Sequence, residues 1–274
     1  MITTLESHPH TVCADSFIIP TFAPGPAGTW VGSHSMVVRG AEPIIIDTGS
    51  SLVRDQWFDH VTSVVDLADV HWVFVSHDDH DHVGNLAEVL ARCPNATLIA
   101  SFLIVGRLAG DFELPIERMR WLDNGDTLDA GDRTFRLVRP PMFDSPATRG
   151  LLDTSTGLLW AVDAFGSLVQ EAVFERADVV DDLYDESFVA LNAWNTPWLE
   201  WVDRERFSSH VETSRKLDPA VVASAHGPVL RGTQVADAYR RTLDLTARPV
   251  PPVPGQADLD AIVAMSLANE PVLV

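Results

Sequence analysis

The chain has 274 residues, 46% of them hydrophobic, and a formal charge of −20. That length and apolar content describe a globular chain able to bury a core without disulfides, while the acidic surface repels polynucleotides and anionic membranes, so neither is expected as a partner. No apolar run reaches bilayer length, residues 1–12 lack a basic segment ahead of an apolar core, and Cys13 and Cys93 are too few for a disulfide framework, so a cytoplasmic protein is expected.

In chain order, the first predicted elements are strands at Ser35–Val38 and Ile44–Ile46, the second running into Asp47-Thr48-Gly49. Ser50 reads as the N-cap of a helix carrying Val53, Trp57, Val61 and Val64 on one face. Residues 71–75 form a buried strand that feeds a polar loop over 76–82. A helix from about Val83 then turns Leu86, Val89 and Leu90 inward until Cys93-Pro94 closes it. Strands follow at Thr134–Val138, 158–162 and 220–224, and helices over 204–216 and 234–245. No short repeat period recurs, which argues against a solenoid. Strands in runs favour sheets sandwiched by helices over a doubly wound parallel sheet. One domain is expected over residues 1–247. Residues 248–274 read as a Pro-rich linker (249–255) and a short apolar helix (259–267) that docks on its own domain or on the partner subunit of a homodimer.

The most informative stretch is Ser76-His77-Asp78-Asp79-His80-Asp81-His82-Val83-Gly84-Asn85. Residues 77–82 are three histidines and three aspartates in succession, placed where a buried strand gives way to a helix. A tight turn there directs His77 and Asp79 toward one cation and Asp81 and His82 toward another, and two cations need such a density of carboxylate and imidazole. A solvated acidic turn with incidental histidines is the plainer reading, disfavoured by that density.

This stretch resembles the His-x-His-x-Asp-His signature of the metallo-β-lactamase superfamily, with Asp79 in place of the middle histidine. It is more similar still to the His-x-Glu-x-Asp-His variant of flavodiiron proteins, including the Gly84-Asn85 continuation; His80 falls outside the ligand register and is expected near solvent or behind the ligands. Ile45-Ile46-Asp47-Thr48-Gly49 resembles the strand whose terminal Asp buttresses the metal loop. Leu159-Trp160-Ala161-Val162-Asp163-Ala164-Phe165-Gly166 resembles the flavodiiron segment whose Asp bridges two irons, and Ser224-Ala225-His226-Gly227-Pro228 resembles the last ligand motif. One position departs: where the family has a third histidine, Pro141-Met142-Phe143-Asp144-Ser145-Pro146-Ala147-Thr148 offers only Asp144, either as a replacement ligand or as a turn residue ahead of Pro146.

The resemblance implies an α+β, metallo-β-lactamase-like αββα sandwich of two mixed sheets flanked by helices. It implies one metal held by His77, Asp79 and Asp144, a second by Asp81, His82 and His226, with Asp163 bridging and Asp47 structural. Carboxylate-rich ligation favours harder ions such as iron or manganese over zinc, and the resemblance implies iron, with zinc or manganese as alternatives. The implied activity is that of a stand-alone flavodiiron core that binds, reduces or activates O2 or NO. No FMN domain is expected in this chain, so electrons would come from a separate donor protein or from the substrate. Zinc-assisted hydrolysis of a small ester, lactone or thioester is the competing class, and oxygen sensing without turnover a third. His34 and Trp194 are weaker candidates for side chains behind the ligands; Trp194, Trp198 and Trp201 fall in a segment where flavodiiron relatives place aromatic residues near the site, with helix-face packing the plainer reading. Residues 24–28 read as a turn or loop over the site. His8, His10, His60, His71 and His210 show no ligand pattern, and no Gly-x-Ser-x-Gly marks a serine nucleophile.

Overall fold

The computed structural model describes residues 5–268. The first half of the chain forms β1 (His10–Cys13), β2 (Ser16–Ile19), the short pair β3 (Phe22–Pro24) and β4 (Trp30–Gly32), β5 (Ser35–Val38), β6 (Ile44–Ile46), β7 (Trp72–Phe74), β8 (Thr97–Ala100) and β9 (Met119–Trp121). The second forms β10 (Thr127–Asp129), β11 (Thr134–Val138), β12 (Gly150–Asp153), β13 (Leu158–Trp160), β14 (Leu168–Val169), β15 (Val221–Ala223) and β16 (Leu230–Arg231). The helices are α1 (Arg54–Val64), α2 (His80–Val83), α3 (Leu86–Arg92), α4 (Phe102–Leu108), α5 (Asp181–Asn195), α6 (Arg204–Arg215), α7 (Thr233–Asp244) and α8 (Gln256–Ala268).

A seven-stranded sheet, β1-β2-β5-β6-β7-β8-β9, lies against a six-stranded one, β10-β11-β12-β13-β15-β16, and β14-β4-β3 make a small third sheet. Both large sheets are mixed: β6, β7, β8 and β9 pair in parallel, as do β13 and β15, and the remaining pairs are antiparallel.

Strand alternation explains the layering. On β6, Ile44 and Ile46 join the inter-sheet core with Phe74 and Trp160, whereas Ile45 turns outward to meet Trp57, Val61 and Val89 under α1 and α3. On β13, Leu158 and Trp160 face the same inter-sheet core, whereas Leu159 meets Phe188 and Val211 under α5 and α6. A strand buried on both faces reads as an unbroken apolar run, which is why Ile44–Ile46 and Leu158–Trp160 show no polar alternation.

Three local expectations change. Ser50 caps a 3-10 turn, Ser51–Val53, by accepting from Leu52 N, so Val53 precedes α1 rather than lying on its inward face. The 76–82 loop is cut short because α2 begins at His80. The strand expected to 162 ends at Trp160, and Val162 takes a left-handed backbone with φ 58°. Downstream, the indole of Trp194 donates to Pro251 O at 3.0 Å, tying down the linker, whereas the described side chains of α8 are exposed, Leu259 at 51% and Val263 at 47%. None of the described helices is long and apolar enough to cross a membrane.

Candidate metal centre

β6, β7, β13 and β15 end on one edge of the sandwich, and the chain places a polar residue just beyond each end. Asp47 follows β6 directly. His77, Asp163 and His226 each lie three residues past the last residue of β7, β13 and β15. The turn of helix α2, built on Asp79 O accepting from His82 N and Val83 N, presents Asp81 and His82 to the same point. Gly84 closes that turn where no side chain fits: a Cβ would lie 2.4 Å from Ser51 N and 2.6 Å from His80 O.

The Asp163 carboxylate divides the cluster. Its Oδ2 lies 3.3 Å from His77 Nε2, while its Oδ1 lies 3.1 Å from His82 Nε2 and 3.2 Å from His226 Nε2. Around Oδ2, His77 Nε2 is 3.7 Å from Asp79 and 4.0 Å from Asp144. Around Oδ1, Asp81 Oδ2 is 3.7 Å from His82 Nε2 and 3.6 Å from His226 Nε2. Despite this proximity, His77 Nε2, His82 Nε2 and Asp163 Oδ1 are buried without a hydrogen-bond partner. Buried polar atoms converging yet unpaired are what a cation between them would satisfy, so the donor set fits metal binding.

Each histidine is held so that its other nitrogen faces the cluster. His82 Nδ1–H donates to Asp47 Oδ2 at 2.9 Å and His226 Nδ1–H donates to Gly32 O at 2.7 Å. His77 Nδ1 lies 3.0 Å from Ser76 Oγ, whose own proton goes to Asp47 Oδ2 at 2.9 Å. All three Nε2 lone pairs are thereby left free for a ligand role. Asp47 also accepts from Ser76 N at 2.8 Å and from Trp160 Nε1 at 3.1 Å, so one buried carboxylate gathers four donors from both sheets.

The Asp163 turn is pinned in a conformation that β-branched residues avoid. Val162 O accepts from Ala225 N at 2.8 Å and Ser224 Oγ at 3.0 Å, and Phe165, at φ 68°, donates its N–H to Asn192 Oδ1 at 2.9 Å. The Asp144 loop is held from outside: Trp198 Nε1 donates to Phe143 O at 2.8 Å, His210 Nε2 donates to Pro140 O at 3.0 Å, and Thr148 Oγ1 donates to Asp144 Oδ1 at 3.3 Å. A polar chamber of about 260 Å³ opens over the cluster, bounded by Asp79, Asp144, Leu191 and Asn195.

The electrostatics follow from burial and mutual neutralisation. Burial alone pushes the His226 imidazole down, but Asp163 and then Asp81 outweigh it and hold it at about 9. Burial likewise opposes protonation of His82 and His77, and the carboxylates around them, Asp47 and Asp163 for the first and Asp163, Asp79 and Asp144 for the second, raise both. Burial pushes Asp163 up, and the three histidines more than reverse it, leaving it well below the usual carboxylate range. A ligating imidazole must be neutral, so metal uptake at pH 7 displaces protons that these histidines carry without metal, and affinity falls as pH falls. Calorimetric titration with metal in two buffers of different ionisation enthalpy should register proton release; equal heats in both would contradict it.

The seven ligand candidates therefore come together in the expected grouping: His77, Asp79 and Asp144; Asp81, His82 and His226; and Asp163 between them. His80 is exposed and outside the cluster. Neither His34 nor Trp194 hydrogen-bonds a ligand candidate among the described residues. His34 is buried against Phe22 and accepts from Thr21 N, and burial, with His226 and His10 nearby, drops it to about 3, so it is neutral. Trp194 faces Pro251 and Pro26 in a surface groove, and Pro26 lines that groove rather than the chamber over the cluster. Sequence reasoning passed over Ser33, whose hydroxyl donates to Asp81 Oδ2 at 3.1 Å, and Trp160, Asn192 and His210. Trp160 alone left a signal, since strand parity puts it on the inter-sheet face with Ile46, next to Asp47.

Asp144→Ala tests the departed position. Asp144 is on the exposed side of the cluster, so the fold should lose about 0.5 kcal/mol or less. Metal content should drop toward about one ion per chain, the His77 side emptying first. Unchanged content would make Asp144 a turn residue.

Two mixed sheets packed face to face, helices outside them and a His/Asp cluster at the strand ends define an α+β, metallo-β-lactamase-like core. The chain belongs to the ODP family of beta-lactamase-like proteins, since the family profile described as ODP family beta lactamase matches residues 32–227. It is 26% identical over 210 residues to the anaerobic nitric oxide reductase flavorubredoxin of Salmonella typhi, an alignment that covers 75% of this chain and 43% of that protein. The chain thus spans less than half the length of that relative. Among solved structures it is similar to the rubredoxin oxygen:oxidoreductase of the anaerobe Desulfovibrio gigas, with a TM-score of 0.75, 16% identity, and 88% of this chain and 62% of that one covered. It is also similar to the chemotaxis sensor ODP described as a peroxy diiron species, with a TM-score of 0.63, 19% identity, and 94% and 100% covered.

Proposed function

We propose that this chain is a non-heme diiron protein that binds and reduces O2 or NO with electrons from a separate donor protein. One observation carries the reading: a single buried carboxylate, Asp163, offers one oxygen to the His77 side and the other to the His82 and His226 side. In this reading His77, Asp79 and Asp144 hold one ion, Asp81, His82 and His226 the second, and Asp163 bridges. The four aspartates offset the charge of two divalent ions with all three imidazoles neutral. Their oxygen-rich character suits iron better than zinc, whose sites lean on nitrogen and sulfur.

An iron pair bound here would supply the affinity for a diatomic ligand and relay to it the electrons received from the donor protein. The chain's own residues supply the geometry. Asp47 keeps the proton on His82 Nδ1, Gly32 O keeps it on His226 Nδ1, and Ser76 Oγ keeps it on His77 Nδ1, so every Nε2 points inward. Ser33 orients Asp81, and Asn192 fixes the turn after Asp163. The likeness to the nitric oxide reductase flavorubredoxin and to the oxygen:oxidoreductase supports this reading.

Elemental analysis of protein purified without added metal tests it, together with an absorption spectrum. About two irons per chain and a near-ultraviolet charge-transfer shoulder are expected. Two zincs and a colourless protein would sink the reading and favour hydrolysis. Oxygen sensing without turnover is a second reading, supported by the full-length match to the sensor ODP. Oxygen consumption with an added reductase and flavodoxin or rubredoxin separates the two.

A further inference from the structure

A second chamber, also of about 260 Å³, adjoins the polar one and is built from different chemistry. Its walls are Phe22 and Ala23 on β3, Val31 on β4, and Leu52 and Val53 on the 3-10 turn before α1. Leu52 is 73% exposed, so that end opens to solvent. At the inner end the lining changes to Asp81 and His226, and these two residues together with Val31 are the lining that both chambers share. Two openings thus converge on the same proposed metal position, one walled by carboxylates and an amide, the other by hydrocarbon.

The inner end is fixed in place by the strand that forms the wall. Gly32, the last residue of β4, accepts the Nδ1 proton of His226, and the next residue, Ser33, donates to Asp81. A shift of the β3–β4 hairpin would therefore move both groups with it.

We propose that the apolar chamber is a holding site and access route for an uncharged diatomic gas, delivering it to the Asp81/His226 side of the cluster, while water, protons and anions use the polar chamber. This rests on the diiron reading above and says how the site is fed. Apolar cavities take up small nonpolar guests, xenon among them. A neutral gas partitions into hydrocarbon readily, whereas an anion or a polar ester leaves its hydration behind at high cost. The volume lies below that of pockets that enclose drug-sized ligands and has ample room for a diatomic guest.

The test fills the chamber from the hairpin with Ala23→Phe, a residue that touches none of the ligand candidates in the hydrogen-bond network. Xenon is the direct probe, applied to iron-loaded and metal-free protein by xenon NMR. The native chain should bind it saturably and Ala23→Phe should not. In stopped-flow with iron-loaded protein, NO association should slow by about tenfold in Ala23→Phe, with azide association and iron content unchanged. Val53→Phe, on the half-buried turn at the other wall, should do the same if the first variant folds poorly. Unaltered NO rates, or equal slowing of NO and azide, would overturn the route. Absence of xenon from an iron-loaded chain would overturn the chamber and leave the diiron reading standing. Xenon in a chain that takes up zinc alone would overturn the diiron reading and leave a gas site.

Discussion

Asp163→Asn is expected to empty both metal positions, not one. The substitution keeps the volume of a fully packed side chain but removes its charge and replaces one oxygen with a donor nitrogen. Either way the amide sits, one half faces imidazole nitrogens that lie 3.1–3.3 Å away and need an anionic or metallic neighbour. Metal content by mass spectrometry should fall below about one ion per chain, because metal affinity is set by the ligands that both ions share. The same change removes the group that keeps His226 up at about 9, so the metal-free variant should carry fewer protons on its histidines at pH 7, visible as a downfield-to-upfield change in their NMR titration. Asp144→Ala, by contrast, removes one exposed ligand candidate from one side. A variant with asparagine at 163 that still holds two ions would show that Asp163 does not bridge.

The second large effect is expected at Asp47, which touches no proposed metal. Asp47→Asn leaves an amide where Ser76 N, Ser76 Oγ, His82 Nδ1 and Trp160 Nε1 all donate, so at least one donor is forced against another in a fully buried position. Breaking such a buried network costs about 3–5 kcal/mol of folding stability. Freeing the His82 and His77 rings should also weaken metal binding by about 10–100-fold. Urea unfolding of the stripped protein isolates the first effect, and competition with a chelator measures the second. A stability loss no larger than the roughly 0.5 kcal/mol of an ordinary surface change would remove Asp47 from this role.

The ligand candidates were more legible in the sequence than the residues that hold them. His77, Asp79, Asp81 and His82 lie in one short run, and Asp163 and His226 sit in motifs that follow strongly apolar strands, so chemistry and local pattern coincide. The buried strands were legible for the same reason, both faces being apolar. The supports are long-range: Ser33 meets Asp81 across 48 positions and Trp160 meets Asp47 across 113, and nothing local in either residue marks its partner. His210 and Trp198 look like ordinary packing because their polar work is done on backbone carbonyls of a distant loop. Val162 was read as strand because its side chain is apolar and buried, although its backbone turns left-handed to aim Asp163. The apolar chamber belongs to the same class, assembled from β3, β4 and a turn that only the tertiary fold brings together.

The division of the cluster between the two large sheets has a consequence for how the molecule melts. His77, Asp79, Asp81 and His82 belong to the half with the seven-stranded sheet, and Asp144, Asp163 and His226 to the half with the six-stranded one. Ions in that position would add to the links that already join the two layers, their shared apolar interface and cross-layer bonds such as Trp160 Nε1 to Asp47, Arg149 N to Ser76 O and His226 Nδ1 to Gly32 O. Loading then raises the cost of parting the layers, so the chain should unfold at a higher temperature with metal than without it.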